Sequence, residues 1–386
     1  MSVPVGRPYR ILHSVSDLHV GGVARLLLRN ISNMDQGRFE NHVCYLVPRR
    51  DLEPSYARAG FVPVCLDHRR KWHGGRTLLR LIKLLRQRRI DLVHTNHPLD
   101  RLYLGLAAFI CRVPVVTTLH STAVPADITA LRHRLRVWIT DRTGSIWTRR
   151  FIAVSKAVRD IGTRYGNAPR DRVSVLYSGV PINHVEGRSD PASQERLRRE
   201  LGLNAAYPVL INVARLTEVK GQVSLVRMMP QVLERWPQAR LIIVGEGEQR
   251  AALEAAIERQ GLGSCIHLLG QRSDVHDLLA VSDVFLFPSL SEGLPLALLE
   301  AAAARKPVVA SKCGPMMEVV EDGASGYLVA PGDPHALAEG VLGILESPEG
   351  ARRMGERGRC IVEEKFNLHE SVRALERFYL STMEKA

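Results

Sequence analysis

Two glutamates in the stretch SEGLPLALLEAAAARKPVVAS (291–311) raise a chemical question. Glu292 is followed directly by Gly293, Leu294 and Pro295, and Glu300 comes eight positions later in an otherwise apolar run. Proline is tolerated in a first helical turn, so the pattern predicts a helix opening at Gly293–Pro295, where exposed N–H groups and the positive dipole end can hold an anion. On a helix the two carboxylates lie about 800° apart, some 80° past two full turns. That puts Glu300 among Leu296, Ala297, Leu298 and Leu299, where an unpaired charge is costly, so a partner is expected. A plainer reading is equally open: Glu292 as a helix cap favourable by a few tenths to about 1 kcal/mol, and Glu300 as a surface residue. A second constellation, NVARLTEVKGQ (212–222), sets Arg215 and Lys220 around a loop that ends in Gly221. Two such cations can neutralise a diphosphate, arginine through a two-pronged fork and lysine as a point charge, or they can simply be solvated. VGEGEQR (244–250) supplies Gly245 and Gly247, and HVGGVARLLL (19–28) supplies Gly21 and Gly22 ahead of an amphipathic run. Each is an anion-tolerant turn, and neither is a full Gly-x-Gly-x-x-Gly dinucleotide fingerprint. Together they point to a phosphorylated ligand.

The elements that must position these residues follow from hydrophobic period. RILHSV (10–15), HVCYLV (42–47), VPVCL (62–66), DLVHT (91–95), PVVTTLH (114–120), FIAVS (151–155) and VSVLYSG (173–179) read as strands, several of them apolar on both faces, with helix-length amphipathic stretches between. That is the pattern of a buried parallel sheet. After a polar, unpatterned stretch, VPINHVEGRSDPASQE (180–195), the alternation resumes with YPVLINVA (207–214), ARLIIVG (239–245), CIHLLG (265–270), DVFLFP (283–288), KPVVAS (306–311) and GYLVAP (326–331). The expected fold class is α/β, two Rossmann-like doubly wound domains: residues 1–185, residues 186–365, and a C-terminal helix, 366–386, packing back toward the first domain. Ligands in such sheets bind beyond the carboxyl ends of the strands, which is where every constellation above falls.

Composition bounds the function classes. At 386 residues, 45% hydrophobic and 24% charged, the chain suits two globular cores and excludes disordered or fibrous classes. No apolar run approaches the roughly eighteen residues of a membrane span, and the start lacks the order of a signal peptide, so a cytoplasmic protein is expected. The six cysteines are scattered without a Cys-x-x-Cys pair and read as core thiols. Charge is unevenly shared: residues 1–185 hold 30 basic and 12 acidic residues, residues 186–386 hold 23 and 28. A basic half joined to a mildly acidic half suggests one domain facing an anionic surface or acceptor, although an Arg-rich, solvated surface would look the same.

In that order, VARLTEVKG, LIIVGEGEQR, LLGQRSDVHDLLAVSDVFLFPSLSEGLPLALLEA and PVVASKCGPMMEVVEDGASGYLVAPGD resemble the donor-binding domain of the retaining family-4 glycosyltransferases of the GT-B architecture, two Rossmann domains facing across a cleft. The first half matches more loosely, through VGGVARLLL, DLVHTNH, VVTTLHS, FIAVSKAV and VLYSGV. The resemblance implies a donor diphosphate held by Arg215 and Lys220, a carboxylate beside the donor sugar in Glu292, and one for the ribose hydroxyls in Glu300. It also implies donor contacts from Gly245, Gly247, Gly293, Leu294 and Pro295, a base-contacting loop GQRSD (270–274) that carries Arg272, and a glycine loop, Gly21 and Gly22, near the phosphates or acceptor. His120 resembles a family histidine near the sugar at the cleft, with a strand-end histidine satisfied locally as the alternative reading. The implied reaction moves a sugar from a nucleoside-diphosphate sugar to a glycan or lipid-linked acceptor. Fixed cations and helix N–H groups would stabilise the leaving diphosphate. No cofactor and no metal are expected, since the sequence has no Asp-x-Asp triplet. Retention without an evident carboxylate nucleophile suggests front-side substitution, with double displacement left open.

Two other classes share parts of this pattern. A nucleotide-sugar epimerase can have the same architecture, and a basic module could bind without catalysis. Nucleic acid is not an expected partner, because aromatics are only 5% and do not interleave with the basic stretches. Those stretches, HRRKWHGGRTLLRLIKLLRQRRID (68–91) with Arg69, Arg70, Lys71 and Arg76, and LRHRLRVWITDRTGSIWTRR (131–150) with Arg132, Arg134, Arg136, Arg142, Arg149, Arg150, Trp138 and Trp147, are expected either to lie on an anionic membrane at its inner face or to cover the first sheet as ordinary helices.

Overall fold

The computed structural model describes residues 7–19, 21–67, 74–121, 142–165, 168–182, 190–203 and 207–384. Each of the thirteen runs read as strands holds one. The chain divides into two units, Met1–Ser178 with Leu368–Ala386, and Gly179–Asn367. The basic cluster at 69–71 and most of the second basic stretch, with Arg132, Arg134, Arg136 and Trp138, lie outside the described residues.

In the first unit a seven-stranded sheet runs β3 (Val64–Cys65), β2 (Phe39–Tyr45), β1 (Tyr9–Val15), β4 (Leu92–Thr95), β5 (Val115–Leu119), β6 (Arg150–Ala153) and β7 (Val173–Val175). Every pairing is parallel. Parallel neighbours need crossovers, and helices supply them. Alternation along β1 sorts the two faces. Ile11 and Val15 join the core shared with the helix Gly22–Ser32 and with Leu368, Val372, Leu375, Phe378 and Tyr379 of the C-terminal helix Leu368–Glu384. Leu12 faces the core built with the helices Gly74–Gln87 and Pro98–Cys111. Arg150 locks the C-terminal helix down, donating to Ser381 Oγ at 2.7 Å while its guanidinium lies 3.9 Å from the centre of the Phe378 ring.

The second unit repeats the order with six strands: β10 (Ile266–Gly270), β9 (Arg240–Val244), β8 (Val209–Val213), β11 (Val284–Phe287), β12 (Val308–Ser311) and β13 (Gly326–Val329), again all parallel. Strand order reverses between β1 and β4 in one sheet and between β8 and β11 in the other. Those switch points are where doubly wound sheets open a ligand crevice.

Several expectations need correcting. The helix after β11 runs Leu296–Ala303, with Pro295 outside it at φ −81°, ψ 85°. Proline drives its predecessor Leu294 away from helical backbone, so Gly293–Pro295 belong to the loop and Glu300 stands one turn inside the helix, not two. The two-turn geometry between the glutamates therefore does not apply. The unpatterned stretch ends in a helix, Pro191–Glu200, whose start is set by Asp190 accepting from Ser193 N at 3.0 Å with proline in the first turn. Its period was hidden because Leu197 is its one buried residue. All six cysteines are free thiols, but only Cys44 and Cys265 are buried, and Cys360 is exposed on the helix Pro348–Lys365.

Candidate active site

The two loops that flank the second switch point are strapped together by backbone. The loop after β8 carries Arg215, passes through a short 3-10 turn, Glu218–Lys220, and ends at Gly221, φ +66°. A Cβ at Gly221 would sit 2.3 Å from the Pro288 carbonyl oxygen, so only glycine lets this loop lie on the one after β11. Leu290 N donates to Val219 O at 2.8 Å, and Ser289 Oγ approaches the same oxygen at 3.2 Å.

This strapping delivers Lys220 to Glu292. The ammonium donates to Glu292 Oε1, Ser289 Oγ donates to the same oxygen from 2.6 Å, and the two charged side chains keep only 17% and 9% of their surface exposed. Phe287 lies under the ammonium, 5.8 Å from ring centre to Nζ. Cys313 borders the pair, its thiol pushed up to about 11 by burial and by the Glu292 carboxylate. A lysine has three donors, so one bond to Glu292 leaves capacity for oxygens of another anion. Arg215 is exposed; its carbonyl oxygen accepts from Gln222 Nε2 at 2.8 Å. Its guanidinium carries no hydrogen bond or ion pair among the described residues. Glu300 is partly buried on the helix Leu296–Ala303, which begins without a side-chain cap.

Gly245 and Gly247 have a packing reason for being glycine. A Cβ would fall 1.9 Å from Ala214 O at the first and 2.2 Å from Leu216 O at the second. The turn after β9 thus seats directly against the Arg215 loop, held by Leu216 N donating to Glu246 O at 3.0 Å. Arg272 is engaged by its own loop, forking onto Asp274 at 2.8 and 2.6 Å. That pair holds Asp274 below the usual carboxylate range.

In the first unit, Gly21 caps the helix Gly22–Ser32 with extended backbone and no side-chain bond, and a Cβ at Gly22 would meet nothing within 4 Å. His120 lies just past the end of β5, one strand away from the switch point, with Nε2 2.9 Å from Asn96 Oδ1. It lines a cavity of about 40 Å³ together with His13, His94, Asn96, Thr118 and Tyr379. Burial pushes His13 and His120 down to about 4, and His94 lies well below the ordinary imidazole value, so all three rings are neutral near pH 7. Among the described residues no group of three or more His, Cys, Asp or Glu is arranged to hold a metal ion, and no helix is long and apolar enough to cross a membrane.

Against known proteins, residues 193–360 match the family model "Glycosyl transferases group 1" and residues 20–184 match "Glycosyltransferase Family 4". The chain belongs to the family-4 glycosyltransferases. A galactosyltransferase of Escherichia coli named for UDP-Gal and GlcNAc-diphosphoundecaprenol is 26% identical to it over 94% of each chain. An uncharacterised glycosyltransferase of Methanocaldococcus jannaschii is 31% identical over 66% of each. Among solved structures, HepE of Anabaena in complex with UDP-glucose superposes with a TM-score of 0.86 at 23% identity, covering 96% of this glycosyltransferase and 99% of HepE, a likeness that shows the GT-B fold.

The structure brings Lys220 and Glu292 of this glycosyltransferase into contact and sets the Arg215 loop, Gly245 and Gly247 side by side. Gly21, Gly22 and His120 are carried by the first unit. Sequence reading missed Ser289, Cys313 and Asn96. Ser289 and Asn96 had a usable signal, a small polar residue just past the carboxyl end of a strand at a switch point. Cys313 had none.

Proposed function

We propose that this glycosyltransferase moves a sugar, with retention and without a metal, from a nucleoside-diphosphate sugar to a glycan or lipid-linked acceptor in cell-surface polysaccharide or glycolipid synthesis. The observation that carries the reading is the Lys220–Glu292 contact beside the Arg215 loop at the second switch point: cation and carboxylate on two strapped loops, next to uncapped helix N–H groups. Arg215 and Lys220 take the donor diphosphate and stabilise it as it leaves; Glu292, already fixed by Lys220 and Ser289, accepts from sugar hydroxyls; Glu300 takes the ribose; the Gly245–Gly247 turn and the GQRSD loop with Arg272 border the nucleoside. Gly293, Leu294 and Pro295 give the loop its extended approach, and His120, Gly21 and Gly22 serve the sugar or acceptor side. The names of the relatives support the donor and acceptor classes, since HepE was solved with UDP-glucose and the E. coli relative is named for a lipid-linked substrate.

A lipid-linked acceptor calls for a membrane-facing surface, and the helix Gly74–Gln87 offers one at the inner leaflet. Arg76, Leu79, Lys83 and Arg86 are exposed on it opposite the buried Thr77, Leu81 and Leu85, Leu79 by 69%, and no acidic residue occurs in it. The second basic stretch supports this less. Trp147 packs where a Cβ on Gly105 would meet it at 3.2 Å, and Arg150 holds the C-terminal helix.

Thermal-shift screening of nucleotide sugars tests the function. One donor class should raise the melting temperature, and with acceptor membranes and EDTA present its sugar should transfer with the anomeric configuration kept, as read by NMR of the product. Inversion, or transfer that EDTA abolishes and manganese restores, overturns the mechanism. Isomerisation of the donor without acceptor would make the protein an epimerase.

A further inference from the structure

Asn96, just past the end of β4, faces both Ser14 and His120. Its Nδ2 donates to the Ser14 carbonyl oxygen at 2.9 Å, and its Oδ1 lies 2.9 Å from His120 Nε2. The amide orientation is forced, because a carbonyl oxygen can only accept: turning the amide over would set two oxygens against each other. Oδ1 must therefore face Nε2, and Nε2 must carry the hydrogen. Ser14 is a rigid anchor, fully buried on β1, in register with Thr95, with its hydroxyl donating to Asp100 at 3.3 Å. The neighbouring pair His13–Asn41 has the same contact at 2.8 Å, but the Asn41 amide nitrogen makes no hydrogen bond among the described residues, so nothing fixes its orientation.

We infer that Asn96 is a positioning residue that locks His120 in the Nε2–H tautomer, leaving Nδ1 as a bare acceptor for a hydroxyl hydrogen. The consequence for recognition rests on the reading of His120 as part of the transferase site; the tautomer does not. A ring in this state takes a hydrogen from a sugar or acceptor hydroxyl and offers no N–H from Nδ1 to a phosphate. Its neutrality agrees: burial and the imidazole of His97 hold His120 down to about 4, and the nearby His94 is itself neutral.

The full-length protein labelled with ¹⁵N-histidine tests this by long-range ¹H–¹⁵N spectra, with His120 identified by the signal lost in His120→Gln. At pH 7 the wild type should show a protonated Nε2 and a bare Nδ1. Asn96→Asp keeps the acceptor and adds a charge, so the ring should stay Nε2–H and take its second proton at least one pH unit higher. Asn96→Leu removes the acceptor, so both nitrogens should move to averaged shifts, and turnover with the donor found above should fall roughly three- to tenfold with nucleoside diphosphate affinity unchanged. A protonated Nδ1 in the wild type, or an Asn96→Leu spectrum identical to it, overturns the inference. A correct tautomer together with wild-type turnover in His120→Gln instead overturns the site role of His120 and leaves the tautomer standing.

Discussion

The two units share one strand order and place their polar residues at the same topological point, yet they keep those residues in opposite electrical states. Around the first switch point His13, His94 and His120 are uncharged and buried Asp100 is pushed up to about 8, while Arg101, buried beside it and lowered to about 10, keeps its charge. Around the second, Lys220 and Glu292 are paired in a salt bridge, with Arg215 exposed on the same loop as Lys220. Topology decides where a site can be, and solvent access with pairing decides which of its groups are neutral and which charged.

Acid should separate the units most sharply. The three imidazoles have folded values below the unfolded one near 6.5, so their contribution is complete above that value and is lost as pH falls through the folded value. For fully buried His13, lowered to about 4, the complete loss is about 3 kcal/mol. Asp100 acts in the opposite sense, its stability lost as pH rises through about 8, so the excess of three imidazoles over one carboxyl sets the net slope. In the second unit one imidazole, His267, is lowered by burial and acts in the same window, while Asp274 and Glu321, lowered by their arginine partners, give up stability only below the ordinary carboxylate values. Brief proteolysis read by mass spectrometry should therefore release peptides of the first unit first as pH drops from 7 to 5. Earlier release from the second unit would break the comparison.

A smaller effect sharpens the charged half. Lys220→Met should cut turnover on the order of 10–100-fold, the worth of a charge-assisted contact of about 1.5–3 kcal/mol. It should also lower the melting temperature, because Glu292 loses its cation while nearly buried. Adding Glu292→Gln should restore the melting temperature and leave turnover low. Recovered turnover in the double variant would show that Lys220 serves the fold and not the diphosphate.

Smallest is the surface contrast. Lys83→Ser on the helix Gly74–Gln87 should weaken binding to anionic vesicles about fivefold, near 1 kcal/mol for one basic residue at such a surface. The effect should fade with salt. An equal loss from Arg235→Ser, exposed on the second unit, would show that the binding is unspecific charge attraction.

The strands were legible because a strand buried on both faces must be apolar throughout, as LIIV in β9 and VFLF in β11 are, and that requirement is local. The family was legible because its motifs are short and ordered. The helix opening at Gly293–Pro295 was misread because proline is compatible with both a first turn and the loop before one, and only the packed backbone chose. Arg215 and Lys220 were visible as cations, but nothing in the sequence says that Lys220 meets Glu292, 72 positions away. That contact needs β8 and β11 to be neighbours and Gly221 to lie against Pro288. Tyr379, 285 positions from His94, likewise meets it at 2.6 Å only because the C-terminal helix returns to the first sheet. Residue type and period are carried along the chain, so the sequence by itself determined the elements and the available chemistry. Protonation state, tautomer and pairing depend on which distant groups exclude water from each other, and the tertiary structure alone decided those.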